Sequence, residues 1–443
     1  MVNYLKNNAR QIETDLEWLS TIVRKRYYAH RENKKLDIQK IEAPPLHRER
    51  SVYKAIIKNF EFGVAERIVL LLALIPHTAP WFLDDIINNI EKNEGDQHMP
   101  SQRNGTIPTL DLTLFILAGD DLEKRLYYQQ LFEQDSFLCS NNIITLDGDV
   151  TTATRLQQPL KISQEYLSLL TTGKPWYPEF NMNFPAKRIT TGLELDDLVL
   201  SDDTVEQVKE IRSWVKYGPD MLKKWGLGNR LSPGLKLLFF GPPGTGKTTT
   251  ASVIGKLSGL EVYKIDLSMV ISKYVGETQK NLSRLFDAAN QKNWILFFDE
   301  ADALFAKRSE KQMDQNTHYA NQEIAYLLQK LDDHNGVVIL SSNMRNNMDE
   351  AFTRRFHNMI FFAMPSAKER QEIWQKGFSP MTEMDEDVDL EEIAKSYVIS
   401  GGAIMNVVRY ASLKAMERRR DVILKKDIIA GITREFAKEA RTI

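Results

Sequence analysis

The chain has 443 residues, which is too long for one small core, so more than one domain is expected. Its formal net charge is -2 with 27% charged residues, which excludes the strong single-signed field of a protein that coats nucleic acid or a membrane surface. A single cysteine, Cys139, excludes an intrachain disulfide framework and fits a reducing compartment.

The first residues, Met1-Val2-Asn3-Tyr4-Leu5-Lys6, lack the basic start and apolar stretch of a secretory signal, so a cytoplasmic location is expected. Ile12, Leu16, Leu19 and Val23 recur at helical spacing and predict a first helix. Pro44-Pro45 interrupt it, and a second helix is expected from Ala65 to Ile75. Its apolar run, Ile68 through Ile75, is closed by Pro76 and is far too short to span a bilayer. Gly95, Pro100, Gly105 and Pro108 mark the polar stretch around Asp96 to Pro108 as a loop. A helix near Asp120 to Phe132 and extended pieces near Asn142-Ile143-Ile144-Thr145-Leu146 complete a mainly helical domain, 1–172. Helices followed by a small hairpin make a winged helix one reading of it. Gly173, Pro175, Pro178 and Pro185 predict a linker over 173–192, and Trp176, Tyr177 and Phe180 within it should pack on a neighbouring surface.

Beyond Thr190 the pattern alternates strand and helix. Strands are expected at Leu235 to Phe240, Leu260 to Asp266, Ile295 to Phe298, Val337 to Ser341 and Met359 to Phe362. This is the pattern of a parallel-sheet α/β domain, 193–364. After Pro365 the sequence is helical to the end, with a break at Ser400-Gly401-Gly402, giving a helical domain over 365–443. The first strand runs into Gly241-Pro242-Pro243-Gly244-Thr245-Gly246-Lys247-Thr248 and then a helix. Strand, glycine-rich loop and helix in that order form a phosphate cradle. Pro243, Gly244, Thr245 and Gly246 bring backbone N–H groups to a phosphate, and the helix N-terminus beginning near Thr249 adds its dipole. Lys247 supplies a point charge to the terminal phosphates, and the Thr248 hydroxyl is placed to hold Mg²⁺. The bland alternative is a turn between strand and helix.

The strand Trp294-Ile295-Leu296-Phe297-Phe298 ends in Asp299-Glu300. Paired carboxylates at the C-terminal end of a buried strand fall where open α/β sheets bind ligands. Asp299 is then a direct or outer-sphere partner of Mg²⁺, and Glu300 a general base for water. Two solvated acids opening a helix, Glu300-Ala301-Asp302-Ala303-Leu304, would look the same in isolation.

From Thr190 to its C-terminus the chain resembles the AAA+ ATPases, in particular the AAA clade that remodels proteins. The resemblance implies a P-loop NTPase core with a parallel sheet, a C-terminal helical lid, ATP and Mg²⁺ as cofactors, and a homohexameric ring. It makes Asn343, at the tip of Val337-Val338-Ile339-Leu340-Ser341-Ser342-Asn343, a sensor of the terminal phosphate. It makes Arg354 and Arg355 in Asp349-Glu350-Ala351-Phe352-Thr353-Arg354-Arg355-Phe356 arginine fingers acting on the nucleotide of the next protomer. Without it, they read as cations at a helix C-terminus. Ser272-Lys273-Tyr274-Val275-Gly276-Glu277-Thr278 is similar to the pore loop of protein translocases, in which Tyr274 and Val275 grip a polypeptide and Gly276 lets the loop bend. Lys307 and Arg308 would line a second pore loop. The adenine end maps onto Asp197-Leu198-Val199, Ile373 and Gly402-Ala403. One departure is Met405, which follows Ala403-Ile404 where some relatives carry a cation for the terminal phosphate.

A finer resemblance joins the chain to the AAA+ ATPase encoded with extracellular contractile injection systems. Thr113-Leu114-Phe115-Ile116-Leu117-Ala118-Gly119-Asp120-Asp121-Leu122, Phe184-Pro185-Ala186-Lys187-Arg188-Ile189, Asp302 through Arg308 and His318-Tyr319-Ala320-Asn321-Gln322-Glu323 carry it. The expected activity is therefore ATP hydrolysis coupled to remodelling, threading or disassembly of a protein client. A membrane partner is not expected, and the near-neutral charge disfavours nucleic acid. A nucleic-acid motor or a slow nucleotide-gated scaffold remain alternatives. A zinc protease is opposed by the absence of His-Glu-x-x-His at any of the seven histidines.

Overall fold

The computed structural model describes residues 2–92, 105–146, 154–181, 184–265, 267, 277–302, 325–343 and 353–438. The chain forms two compact units, Met1–Tyr177 and Pro178–Ile443. The expected pore loop Tyr274-Val275-Gly276, the pair Lys307 and Arg308, most of the expected loop 96–108 and the segment 344–352 lie outside the described residues.

The first unit is mainly helical, with helices α1 (Val2–Arg31), α2 (Val52–Asn59), α3 (Val64–Thr78), α4 (Phe82–Lys92), α5 (Leu110–Ala118), α6 (Leu122–Gln129), α7 (Phe137–Ser140) and α8 (Gln164–Thr172). Side chains of Ser51, Thr109, Asp121 and Ser163 cap α2, α5, α6 and α8 by accepting from backbone N–H groups of the first turn. Strands β1 (Ile144–Leu146) and β2 (Leu160–Ile162) pair antiparallel, with Ile144 opposite Ile162. Helix α3 is hydrophobic on every face and is buried from Ile68 to Ile75, which marks a central core helix. One charged pair lies inside this core. Arg67 donates to both carboxylate oxygens of Asp15, and the Tyr53 hydroxyl donates to the same carboxylate at 2.7 Å.

The second unit holds a six-stranded sheet in the order β3-β5-β6-β7-β4-β8. Its strands are β3 (Ala186–Ile189), β4 (Leu235–Phe240), β5 (Val262–Ile265), β6 (Ile295–Phe298), β7 (Val337–Ser342) and β8 (Asn358–Phe361). All pairings are parallel except that of β3 with β5. The apolar runs are continuous because both faces are covered. On one face Phe240, Tyr263, Ile265, Phe298 and Leu340 pack with Leu282, Leu285 and Phe286 of helix α11 (Glu277–Lys292). On the other, Phe239, Val262, Phe297 and Ile339 pack with Val208 and Ile211 of α9 (Asp202–Lys224) and Ala251 and Ile254 of α10 (Lys247–Ser258). Strand β4 lies between β7 and β8 while the next strand in sequence, β5, lies beyond β6. The chain thus leaves a crevice at the C-terminal end of β4, the place where open α/β sheets bind ligands.

A helical subdomain follows, built from α12 (Ala367–Gly377), α13 (Leu390–Ser396), α14 (Gly401–Glu417) and α15 (Lys425–Lys438) around the fully buried Trp374. Two details differ from the sequence expectation. The stretch read as a linker, 173–192, contributes the antiparallel edge strand β3 to the sheet, and the two units meet at Tyr177 and Pro178. The break at Ser400-Gly401-Gly402 is a helix start: Ser400 is the N-cap of α14, its hydroxyl accepting from the Ala403 N–H. No single described helix is long and apolar enough to cross a membrane.

Candidate nucleotide-binding site

A cleft of about 640 Å³ opens at the C-terminal end of β4, a size typical of small-molecule sites. Its floor is the loop from Pro243 to Gly246 and the first turn of α10, with Lys247, Thr248 and Thr249. Asp299, Glu300 and Asn343 form one wall, and Asp197, Leu198, Val199, Ile373 and Gly402 line the other end. Nearly every residue expected from sequence to contact a nucleotide or metal therefore faces one cavity. Ala403 does not; it is buried in the core of the helical subdomain. Arg354 and Arg355 are exposed and lie outside the cleft lining. Arg355 is held 3.4 Å from the Asp332 carboxylate.

The loop geometry depends on its glycines. Gly244 and Gly246 have φ of 75° and 97°, in the left-handed region where a side chain is strained. A Cβ on Gly244 would also stand 2.5 Å from the Ser400 hydroxyl. The Gly402 N–H donates to the Gly244 carbonyl at 2.8 Å, so the helical subdomain closes directly onto the loop.

Lys247 is almost fully buried, and its ammonium donates to the carbonyls of Gly241 (2.7 Å) and Pro242 (2.9 Å) and to Asn343 Oδ1 (3.1 Å). Burial pulls its pKa below the ordinary lysine value, against the opposing charges of Asp299 and Asp302. A buried cation among carbonyl dipoles and carboxylates, at a helix N-terminus, is arranged to receive an anion. Thr248 Oγ1 donates to Asp299 Oδ2 at 3.3 Å, which places two hard oxygen donors side by side, the donor type Mg²⁺ requires. The residues present thus fit both a nucleotide and Mg²⁺.

Glu300 has φ of 51° and is exposed at the cleft. A non-glycine residue in the left-handed region is uncommon and clusters at functional sites. The geometry is secured by the Glu300 N–H donating to Asp299 Oδ1 (3.1 Å) and the Ala301 N–H to the Ser341 carbonyl (2.8 Å). This aims the Glu300 side chain away from the buried strand that carries it.

Two charged residues at the site escaped the sequence reading. Asp302, read there as a helix-opening acid, accepts from Ser342 Oγ at 2.5 Å and from the Asn343 N–H at 3.2 Å, and so fixes the tip of β7. Lys264, inside β5, places its ammonium 2.6 Å from Asp299 Oδ2. The available signal was its period: Tyr263 and Ile265 point to one face of the sheet, so a lysine between them points to the face that carries α10.

Residues 237–364 match the profile of the family described as ATPase family associated with various cellular activities (AAA). These residues form an AAA ATPase domain. The chain is 31% identical over 231 residues to ATPase family gene 2 protein of Schizosaccharomyces pombe, covering 50% of this chain and 27% of that protein. It is 31% identical over 249 residues to a katanin p60 ATPase-like protein of Mus musculus, covering 53% and 49%. It is also 31% identical over 250 residues to the ATP-dependent zinc metalloprotease FtsH of Lancefieldella parvula, covering 55% and 38%. The chain thus spans half or less of these relatives' lengths, and the AAA domain is common ground among proteins named for different activities. Its fold is the P-loop AAA+ α/β fold, with a mainly helical N-terminal region alongside.

Proposed function

We propose that this chain is a Mg²⁺-dependent ATPase that works as a homohexameric ring and uses hydrolysis to remodel a protein client. The observation that carries the hydrolytic part is the convergence of Lys247, Asn343, Thr248 and Asp299 by direct hydrogen bonds at the mouth of one cleft, with Glu300 beside them. Bound Mg·ATP would supply the activated phosphoanhydride and the metal's charge. The loop amides and Lys247 bind the phosphates, and Thr248 with Asp299 holds the metal. Glu300 accepts the proton of the attacking water, and Asn343, bridged to Lys247, orients the terminal phosphate or that water. Leu198, Val199, Ile373 and Gly402 enclose the base.

The ring is supported by what the cleft lacks. Both arginines read as fingers lie outside the cleft of their own chain, as groups that act on a neighbour's nucleotide would. A finger of this kind is worth about 10³–10⁵ in turnover. Remodelling by threading rests on the Tyr274-Val275-Gly276 resemblance alone, and service to a contractile injection particle rests on sequence likeness that none of the three relatives above carries in its name. A cytoplasmic compartment is part of the same proposal. The test is a trap: Glu300→Gln should retain ATP, and captured clients should be released when ATP is removed. Capture that is equal with Lys247→Ala, which should not bind ATP, would contradict an ATP-gated client. Mixing Arg354→Ala with Glu300→Gln protomers tests the ring, since recovered turnover requires an intact arginine to meet an intact acid across an interface.

A further inference from the structure

We infer that Lys264 is a built-in counter-cation that excludes free divalent metal from Asp299, so that the metal enters only together with nucleotide. The inference rests on the reading of Asp299 as a metal-binding carboxylate. Both oxygens of that carboxylate are engaged: Oδ2 by the Lys264 ammonium at 2.6 Å and the Thr248 hydroxyl at 3.3 Å, and Oδ1 by the Glu300 N–H at 3.1 Å. The oxygen shared by Lys264 and Thr248 is the one a metal held between Thr248 and Asp299 would use.

The placement is a consequence of strand register. Lys264 pairs with Phe297 across β5 and β6, two residues before Asp299 on the adjacent strand. Side chains alternate along each strand, so Lys264 and Asp299 emerge on the same face, the one covered by α10. A lysine in an otherwise apolar strand is disfavoured unless it gains a partner, and Asp299 is that partner.

Charge then decides the outcome. With Lys264 present, two lysines, Lys247 and Lys264, stand among three carboxylates, Asp299, Glu300 and Asp302. A divalent cation on Asp299 Oδ2 would sit a few ångströms from the Lys264 ammonium, a repulsion worth at least tenfold in affinity, roughly, at a partly exposed site. A triphosphate brings enough negative charge to reverse that balance. Without Lys264, three carboxylates face one lysine and the site attracts metal by itself. The side chain of Lys264 is 41% exposed, so it has room to move aside when the metal arrives.

The experiment titrates the full chain with Mn²⁺ in the absence of nucleotide, reading bound metal by electron paramagnetic resonance. Wild type and Lys264→Arg should show weak binding only. Lys264→Met should bind Mn²⁺ about tenfold or more tightly, and Lys264→Met combined with Asp299→Asn should lose the gain. Lys264→Gln serves as a second neutral variant should the methionine form not fold. Equal Mn²⁺ affinity in wild type and both neutral variants overturns the inference. A parallel arm with ADP present separates the two readings. If wild type with ADP shows no Mn²⁺ signal that depends on Asp299, the metal reading itself fails and this inference with it. If that signal is present and the neutral variants gain nothing, only the role of Lys264 is wrong.

Discussion

Asp302 accepts the backbone N–H of Asn343 at 3.2 Å while the Asn343 side chain accepts from Lys247 at 3.1 Å. A carboxylate one turn beyond β6 therefore sets the position of the group that meets the phosphate-binding lysine. Asp302→Ala removes the clamp without touching the cradle. A hydrogen bond to a charged group is worth about 1.5–3 kcal/mol, so phosphate release should fall by roughly 10- to 100-fold. ATP affinity should change by less than about threefold if Lys247 keeps its other partners. Isothermal titration beside a steady-state phosphate assay reads both quantities. An equal loss of binding and turnover would assign Asp302 to the cradle instead.

The buried Asp15–Arg67 pair makes a second prediction, for the N-terminal unit. Asp15 is fully buried and Arg67 nearly so, and the Tyr53 hydroxyl completes the carboxylate's shell. Removing one partner of a buried pair leaves an uncompensated charge and costs about 3–5 kcal/mol. Asp15→Ala should lower the denaturation midpoint of this unit accordingly, and Asp15→Leu with Arg67→Met should recover much of the loss. Additive losses in that double variant would mean that the two side chains do not act as a pair.

Much of the site was legible because its chemistry and its folding requirement coincide. The runs Leu235 to Phe240 and Ile295 to Phe298 are buried on both faces, so they read as strands without alternation. Glycines at Gly244 and Gly246 are needed for the same backbone that cradles phosphate. Lys264 and Asp302 were not legible, because their partners are distant in sequence and a charged residue between apolar neighbours carries no label of what it meets. Strand β3 was hidden for a different reason: Pro178 and Pro185 punctuate its approach, and an edge strand tolerates the proline that a central one excludes. Met405, noted in sequence for the cation it replaces, lines the cleft. The pore-loop residues Tyr274, Val275 and Gly276 lie outside the described residues, and their role stays with the sequence.

His334 supplies a pH dependence that is separate from catalysis. It is 1% exposed, stands edge-on to Phe286, and neither ring nitrogen has a hydrogen-bond partner among the described residues. Burial, aided by the charge of Lys236, lowers its pKa from 6.5 to about 4. The folded state thus favours the neutral ring. The stability it contributes is present above pH 6.5, declines as pH falls below that value, and is gone once pH passes below about 4. The loss should amount to roughly 2–4 kcal/mol. His334→Gln should flatten this part of the profile, as read by urea unfolding at pH 7 and again at about pH 4.5. An unchanged difference between the two pH values would show that the ring titrates normally.

The account as a whole depends on Glu300 taking a proton at a site that binds ATP through other residues. Its left-handed backbone, its exposure at the cleft and its bond to the Asp299 carboxylate single it out from the surrounding acids. Glu300→Gln preserves shape and cannot accept the proton. The direct test is phosphate release by wild type and Glu300→Gln at saturating Mg·ATP, with bound nucleotide measured in the same samples. The account predicts that turnover falls by about 10²–10⁴ while ATP occupancy is retained. Turnover at the wild-type rate with ATP bound would contradict it, because the chemistry would then be carried by some other group.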